Sequence, residues 1–137
     1  MAVAPLPNVR RVVEYALTEI PAEKLWLGIP NYGYDWPLPF RQGVTKATSI
    51  SNQYALQLAL RYGAEILFDD TAQTPWFRYT DEQDVEHKVW FEDARSIYAK
   101  LNLISEYRLS GAGYWNMMRP FTQNWQVLAS LYQILPD

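Results

Sequence analysis

The sequence predicts an α/β chain that carries a small antiparallel insertion. Three observations support this. Lys24–Pro30 (KLWLGIP) is a short, nearly continuous apolar run, as in a strand buried on both faces of a parallel sheet. Leu109–Met117 (LSGAGYWNM) is glycine-rich with an aromatic end, a strand that something approaches closely. Between them, Trp76–Thr80 and Val85–Phe91 alternate around the polar turn Asp81–Asp84, which signals a β-hairpin.

The elements follow in order. In residues 5–20, Val9, Val12, Val13, Ala16, Leu17 and Ile20 recur at helical spacing and form one apolar stripe. Pro5 and Pro7 suit the first turn of this helix, and Pro21 stops it. The first strand comes next. Asn31–Phe40 (NYGYDWPLPF) is dense in turn formers and aromatics and reads as a loop. Ser49–Tyr62 reads as a helix with Ile50, Tyr54, Ala55, Leu58, Ala59 and Tyr62 on one face, and Gly63 as its C-terminal cap. Ala64–Asp69 is a candidate strand ahead of the hairpin. Ala94, Ile97, Tyr98, Leu101 and Ile104 mark a helix over about residues 93–107, with Asp93 as N-cap. After the glycine-rich strand, Pro120 and Thr122 introduce a last helix carrying Trp125, Leu128, Leu131, Tyr132 and Leu135.

The resulting order is helix, strand, insertion, helix, strand, helix. Two parallel strands cannot close a barrel, and a sheet of two is marginal alone. An α/β barrel takes roughly 250 residues, against 137 here. The order therefore predicts an incomplete sheet. The rival is a self-contained α/β domain whose sheet recruits the insertion strands.

Composition narrows the function. Apolar residues make up 49% and aromatics 15%, with Trp 6, Tyr 10 and Phe 5. That aromatic share fits a large core, and it also fits a surface that stacks on sugar rings. The net charge is -3 and no Lys/Arg block stands out, so nucleic acid and anionic membrane are poor partners. No apolar run reaches the roughly 18 residues of a membrane span, and Met1–Pro7 lacks the pattern of a signal peptide. The chain has no cysteine and one histidine, His87, which excludes thiol chemistry, disulfides and His-rich metal sites. No metal or cofactor is expected.

In α/β barrels the site lies at the C-terminal ends of the strands. Here those ends are Asn31–Trp36 (NYGYDW) and Tyr114–Met117 (YWNM). Both combine flat rings with hydrogen-bonding groups, as sugar recognition requires. The acidic cluster Asp81–Glu86 sits at the hairpin turn and reads as solvated. His87 reads as structural or exposed, and Asp35 as a loop hydrogen-bonder.

These segments resemble glycoside hydrolase family 18, the chitinase-like hydrolases. LWLGIPNYGYDW is similar to the family's seventh barrel strand with its Gly-hydrophobic-Pro-x-Tyr-Gly pattern. LSGAGYWNM is similar to the eighth, a Gly-x-x-x-Trp run. PWFRYTDEQDVEHKVWFEDARSIYAK is similar to the family's insertion domain and the Ser-x-x-x-Lys helix after it, with Ser96 and Lys100 at that spacing. "YGYDWPLPF" and "HKVWFEDARS" resemble the bacterial branch that acts on peptidoglycan, including spore-cortex hydrolases.

The resemblance implies a partial (β/α)8 TIM barrel, its last two strands and helices, with an inserted α+β domain. Residues 1–40 would hold a barrel helix and strand seven, 41–92 the insertion, and 93–137 the remaining helices and strand eight. It implies cleavage of an N-acetylglucosamine-containing polysaccharide by substrate-assisted catalysis, outside the two-carboxylate scheme. The family's general acid closes an Asp-x-x-Asp-x-Asp-x-Glu motif that this sequence lacks, and its Met-x-Tyr-Asp element is also missing. Both are expected upstream of Met1, so no catalytic residue is assigned and the chain alone is expected to be inactive.

The resemblance carries over substrate contacts. Trp115 matches the tryptophan that floors the subsite of the distorted sugar, and Tyr32 a tyrosine that hydrogen-bonds substrate. Tyr34 replaces an arginine that many chitinases place against substrate. Trp36 either extends the platform or packs the insertion. An extracellular, cell-wall or spore location is implied, and self-association through uncovered barrel edges is expected. The alternative reading is a non-catalytic carbohydrate-binding or interaction module.

Overall fold

The computed structural model describes residues 1–133. Helix α1 spans Leu6–Leu17, with Pro7 in its first turn, where the missing N–H costs no helical bond. The stripe reaches the core through Val13, with Leu6, Val9 and Leu17 packed around it, while Val12 stays 67% exposed. Thr18–Ile20 close as a turn, so the helix ends earlier than its sequence pattern suggests. A single 3-10 turn, Ala22–Lys24, leads into strand β1, Trp26–Pro30.

Chain direction then reverses into the insertion: β2 (Gly33–Pro37), β3 (Thr48–Ile50), helix α2 (Asn52–Arg61), β4 (Leu67–Asp69), β5 (Thr74–Thr80) and β6 (Glu86–Trp90). These strands form an antiparallel sheet in the order β3-β2-β6-β5-β4. The expectation of a loop over Asn31–Phe40 is corrected here. Gly33, Asp35 and Pro37 lower strand propensity, but pairing on both sides overrides it, and β2 runs as an inner strand. The expected helix from Ser49 is also shortened. Ser49 and Ile50 pair with β2, and Ser51 Oγ caps the helix by accepting from Tyr54 N at 3.0 Å. Gly63 takes φ +60°, and Ala64 N donates to Ala59 O at 2.8 Å, closing a Schellman-type end.

Helix α3 (Ala94–Tyr107) starts at the predicted cap. Asp93 Oδ1 accepts from Ser96 N at 3.0 Å, and Ser96 Oγ accepts from Asp93 N at 2.9 Å, a reciprocal capping box. Strand β7 is Gly111–Trp115 and helix α4 is Thr122–Leu131. Leu135, expected in this last helix, lies outside the described residues.

Strand β7 returns parallel to β1, in register from Trp26↔Gly111 to Pro30↔Trp115. The insertion strands form a sheet of their own, so the rival of one merged sheet is not what folds. Two apolar cores result. Val13, Leu27, Ile29, Ile97, Leu101, Ile104, Leu109 and Phe121 fill the space between the two parallel strands and helices α1, α3 and α4. Ile50, Ala55, Leu58, Ala59, Phe77, Val89 and Phe91 pack α2 onto one face of the five-stranded sheet.

The junction between these cores is polar and fully buried. Lys100 Nζ donates to Glu92 Oε2 at 2.8 Å, both side chains being 1% exposed. Glu92 N donates to Asn52 Oδ1 at 2.8 Å, tying the end of the insertion to the start of α2. Burial raises the Glu92 carboxyl above its ordinary range even though Lys100 pulls the other way. Ser96 and Lys100 are thus the α3 residues that face this junction, both within 1% of full burial.

Strand β1 alternates from Trp26 to Ile29, and Pro30 at its end is buried. Leu27 and Ile29 face the helices, whereas Trp26 and Gly28 are exposed on the other side. On β7, Gly113 and Trp115 are likewise exposed, and nothing lies within 4 Å of where a Cβ on Gly28 or Gly113 would sit. The parallel pair therefore has one covered and one bare face.

Candidate functional site at the strand ends

The C-terminal ends of β1 and β7 meet at the register pair Pro30↔Trp115. Asn31 follows directly and is 2% exposed. Its backbone N donates to Trp115 O at 2.8 Å, while Nδ2 donates to Arg119 O at 2.6 Å and to Asn116 O at 3.3 Å. One side chain at the end of β1 thus fixes the loop that leaves β7. The Trp115–Asn116 peptide bond in that loop is cis.

Trp115 is 71% exposed. Its ring and Tyr32 line one open cleft of about 230 Å³ with Val3, Ala4, Gly28, Ile29 and Pro30. This lining contains no carboxyl group. A broad indole face left in solvent beside a tyrosine suits stacking against the apolar face of a sugar ring, with the phenol as hydrogen-bonding handle. Burial is the main cause that pushes the Tyr32 hydroxyl above its ordinary range, reinforced by Tyr34 and opposed by Arg119, so it stays a protonated donor.

Tyr34 and Trp36 do not line this cleft. They continue from it along one face of β2, because residues two apart share a face. Tyr32, Tyr34, Trp36 and Phe40 pack edge to face in sequence, with centroids 5.7, 5.8 and 5.6 Å apart. Trp36 Nε1 donates to Met1 O at 2.9 Å, so this indole packs the insertion against the N-terminal segment. Lys88, opposite Trp36 in register, sets its ammonium 4.0 Å from the Trp76 ring centroid and 4.5 Å from that of Trp90.

Asp35 points the other way. Its carboxylate accepts from Tyr79 Oη at 2.7 Å and lies 2.8 Å from His87 Nδ1, with His87 Nε2 3.3 Å from Asp81 Oδ2. Burial and the bond to Asp35 push the Tyr79 phenol well up. Asp81 accepts from the N–H groups of Val85 and Gln83, and chiefly the Val85 bond holds its carboxyl below the usual range. This cluster stacks under the insertion sheet, away from the strand ends, and anchors the hairpin. Among the described residues no group of three or more His, Asp or Glu is placed to hold a metal ion.

Two residues of the site were missed in the sequence. Asn31 was legible as a position, directly after the buried strand, but its role depends on a loop 85 residues later. Arg119 lies over the Tyr32 ring, 5.9 Å from its centroid, and Nη1 donates to Ser49 Oγ at 2.9 Å. No local pattern marks that arrangement.

This fold and site match known proteins. The family model described as "Glycosyl hydrolases family 18" matches residues 2–119. The cortical fragment-lytic enzyme of Bacillus subtilis (strain 168) is 50% identical over 98% of this chain and 31% of its own length. Among solved structures, the spore cortex-lytic enzyme SleL of Bacillus megaterium QM B1551 superposes with a TM-score of 0.93 at 50% identity, over 98% of this chain and 32% of that one. A chitinase of Chromobacterium violaceum ATCC 12472 superposes with a TM-score of 0.86 at 28% identity, over 98% and 41%. The chain belongs to glycosyl hydrolase family 18. It folds as a partial α/β piece of that family's TIM barrel, and spans about a third of the length of the two cortex-lytic relatives.

Proposed function

We propose that this chain forms the sugar-binding floor of a glycosidase that cleaves N-acetylglucosamine-containing polymers, with peptidoglycan as the substrate. The observation that carries this reading is the pairing of Pro30 with Trp115, which sets an exposed indole and Tyr32 into one cleft at the strand ends of a family 18 chain. The 50% identity to spore cortex-lytic proteins favours peptidoglycan over chitin and a spore or cell-wall setting.

In this reading Trp115 holds the apolar face of the sugar at the cleavage subsite, and Tyr32 donates a hydrogen bond to it. Tyr34 and Trp36 extend the aromatic surface along β2. The N-acetyl oxygen of the substrate attacks the anomeric carbon, and residues outside this chain supply the general acid. The cleft lining here offers no carboxyl group for that step, so the chain alone binds without cleaving. The division of the chain into barrel parts and an insertion is part of the same proposal, with the insertion starting at Gly33, where the antiparallel sheet begins.

Titration with N-acetylglucosamine oligomers, read by tryptophan fluorescence, tests the cleft. Saturable quenching is the expected result, and Trp115→Ala should weaken it by roughly tenfold or more, since a stacked aromatic face is lost. Quenching that survives Trp115→Ala unchanged would move the site elsewhere.

A further inference from the structure

We propose that Arg119 is a specificity-determining residue that receives a carboxylate borne by the glycan; this rests on the glycosidase reading above. Four arginines of the chain, Arg10, Arg61, Arg78 and Arg95, sit against carboxylates of Glu106, Glu82, Glu86 and Asp93. Arg119 has no carboxylate within ion-pair distance among the described residues. It is also the arginine that stands over a residue of the strand-end cleft, Tyr32.

The geometry is that of a fixed group rather than a swinging surface side chain. Asn31 Nδ2 holds the Arg119 carbonyl at 2.6 Å. The guanidinium is anchored by its one bond to Ser49 Oγ and by the ring beneath it. A guanidinium carries five donors in a rigid fork, so the bond to Ser49 leaves most of them available to a ligand beside Tyr32. A half-buried cation without a counter-charge gains most from a ligand that brings one, because the local dielectric is lower than that of water.

A polymer of N-acetylglucosamine alone is neutral and offers such a group hydrogen-bond acceptors but no counter-charge. Peptidoglycan alternates that sugar with its 3-O-lactyl ether. The lactyl group ends in a free carboxylate or in a peptide stem with carboxylates of its own. The chemistry Arg119 recognises is the carboxylate, and its source is left to the test.

The chain extended by its upstream barrel strands would be assayed on three substrates. These are N-acetylglucosamine oligomers, stem-free glycan strands with free lactyl carboxylates, and stem-bearing strands. The readout is the ratio of kcat/KM on each acidic polymer to that on the neutral one. Arg119→Gln should lower this ratio roughly tenfold, mainly through KM, as loss of one charge-assisted contact does. Arg119→Lys should retain more of it, and added salt should lower the ratio in the unmutated enzyme more than in Arg119→Gln. A fall on stem-free strands assigns the lactyl carboxylate, and a fall confined to stem-bearing strands assigns the stem. An unchanged ratio, with all three substrates affected alike, overturns the role of Arg119 and leaves the glycosidase reading standing. Failure of the unmutated enzyme to cleave any of the three overturns both.

Discussion

Lys100 and Glu92 show how single residues hold the two cores together. A fully buried ammonium and carboxylate, 2.8 Å apart, gain little over an apolar pair of the same volume but are costly to break singly. Lys100→Met should therefore destabilise the chain by about 3–5 kcal/mol, and adding Glu92→Leu should recover much of that loss. Burial already raises the Glu92 carboxyl with Lys100 in place, and removing Lys100 raises it further. The cost of the single variant lies in the ionised form, so it should shrink as pH falls and Glu92 takes up its proton, and grow as pH rises. Thermal unfolding of the two variants across pH checks both statements. At the same scale, the exposure of Trp115 and the burial of Asp35 separate two neighbouring sets of polar and aromatic residues into an exposed surface and an internal anchor. Sequence alone grouped Asp35 with the strand-end loop, because nothing local reveals which face of an unrecognised strand it occupies.

Strand β2 is the element on which the sequence was least informative. The run Gly33–Pro37 carries turn formers at every second position, so local propensity points to a loop. Its pairing with β3 and β6 comes from contacts 13 or more residues away in the chain, such as Asp35↔Thr48 and Asp35↔Val89. The glycine that looked like a turn former serves that pairing. A Cβ at Gly33 would sit 2.4 Å from the Trp90 carbonyl oxygen and 2.9 Å from Phe91 Cβ, and backbone cannot move aside. Gly33→Ala should cost about 1–3 kcal/mol by overpacking and loosen β2 from β6. Hydrogen exchange of the Tyr34 and Trp36 amides would report it, with protection retained in the variant as the contrary result. By contrast, β1, the hairpin and α3 were legible at once. Each rests on local signals: a continuous apolar run, alternation around a polar turn, and a cap at Asp93 followed by a helical stripe. The aromatic strand ends were legible as candidates for the same reason. The joining of Tyr32 to Trp115 was not, since it needs the parallel register between strands 85 residues apart.

At the scale of the whole molecule, the parallel pair β1–β7 has one face packed on three helices and one face bare. Trp26, Gly28, Gly113 and Trp115 stand on the bare side, an arrangement that water tolerates poorly and that further strands of a family 18 barrel would cover. The cleft there is rich in rings and its lining lacks a carboxyl group, and under the proposed function binding and bond cleavage are divided between this chain and residues beyond it. The measurement that tests this most directly is hydrolysis of peptidoglycan and N-acetylglucosamine oligomers by the chain as given, beside the same chain extended upstream by the remaining barrel strands. Cleavage only by the extended protein is the expected result. Cleavage by the short chain would contradict it, and would mean that a catalytic acid lies within these 137 residues.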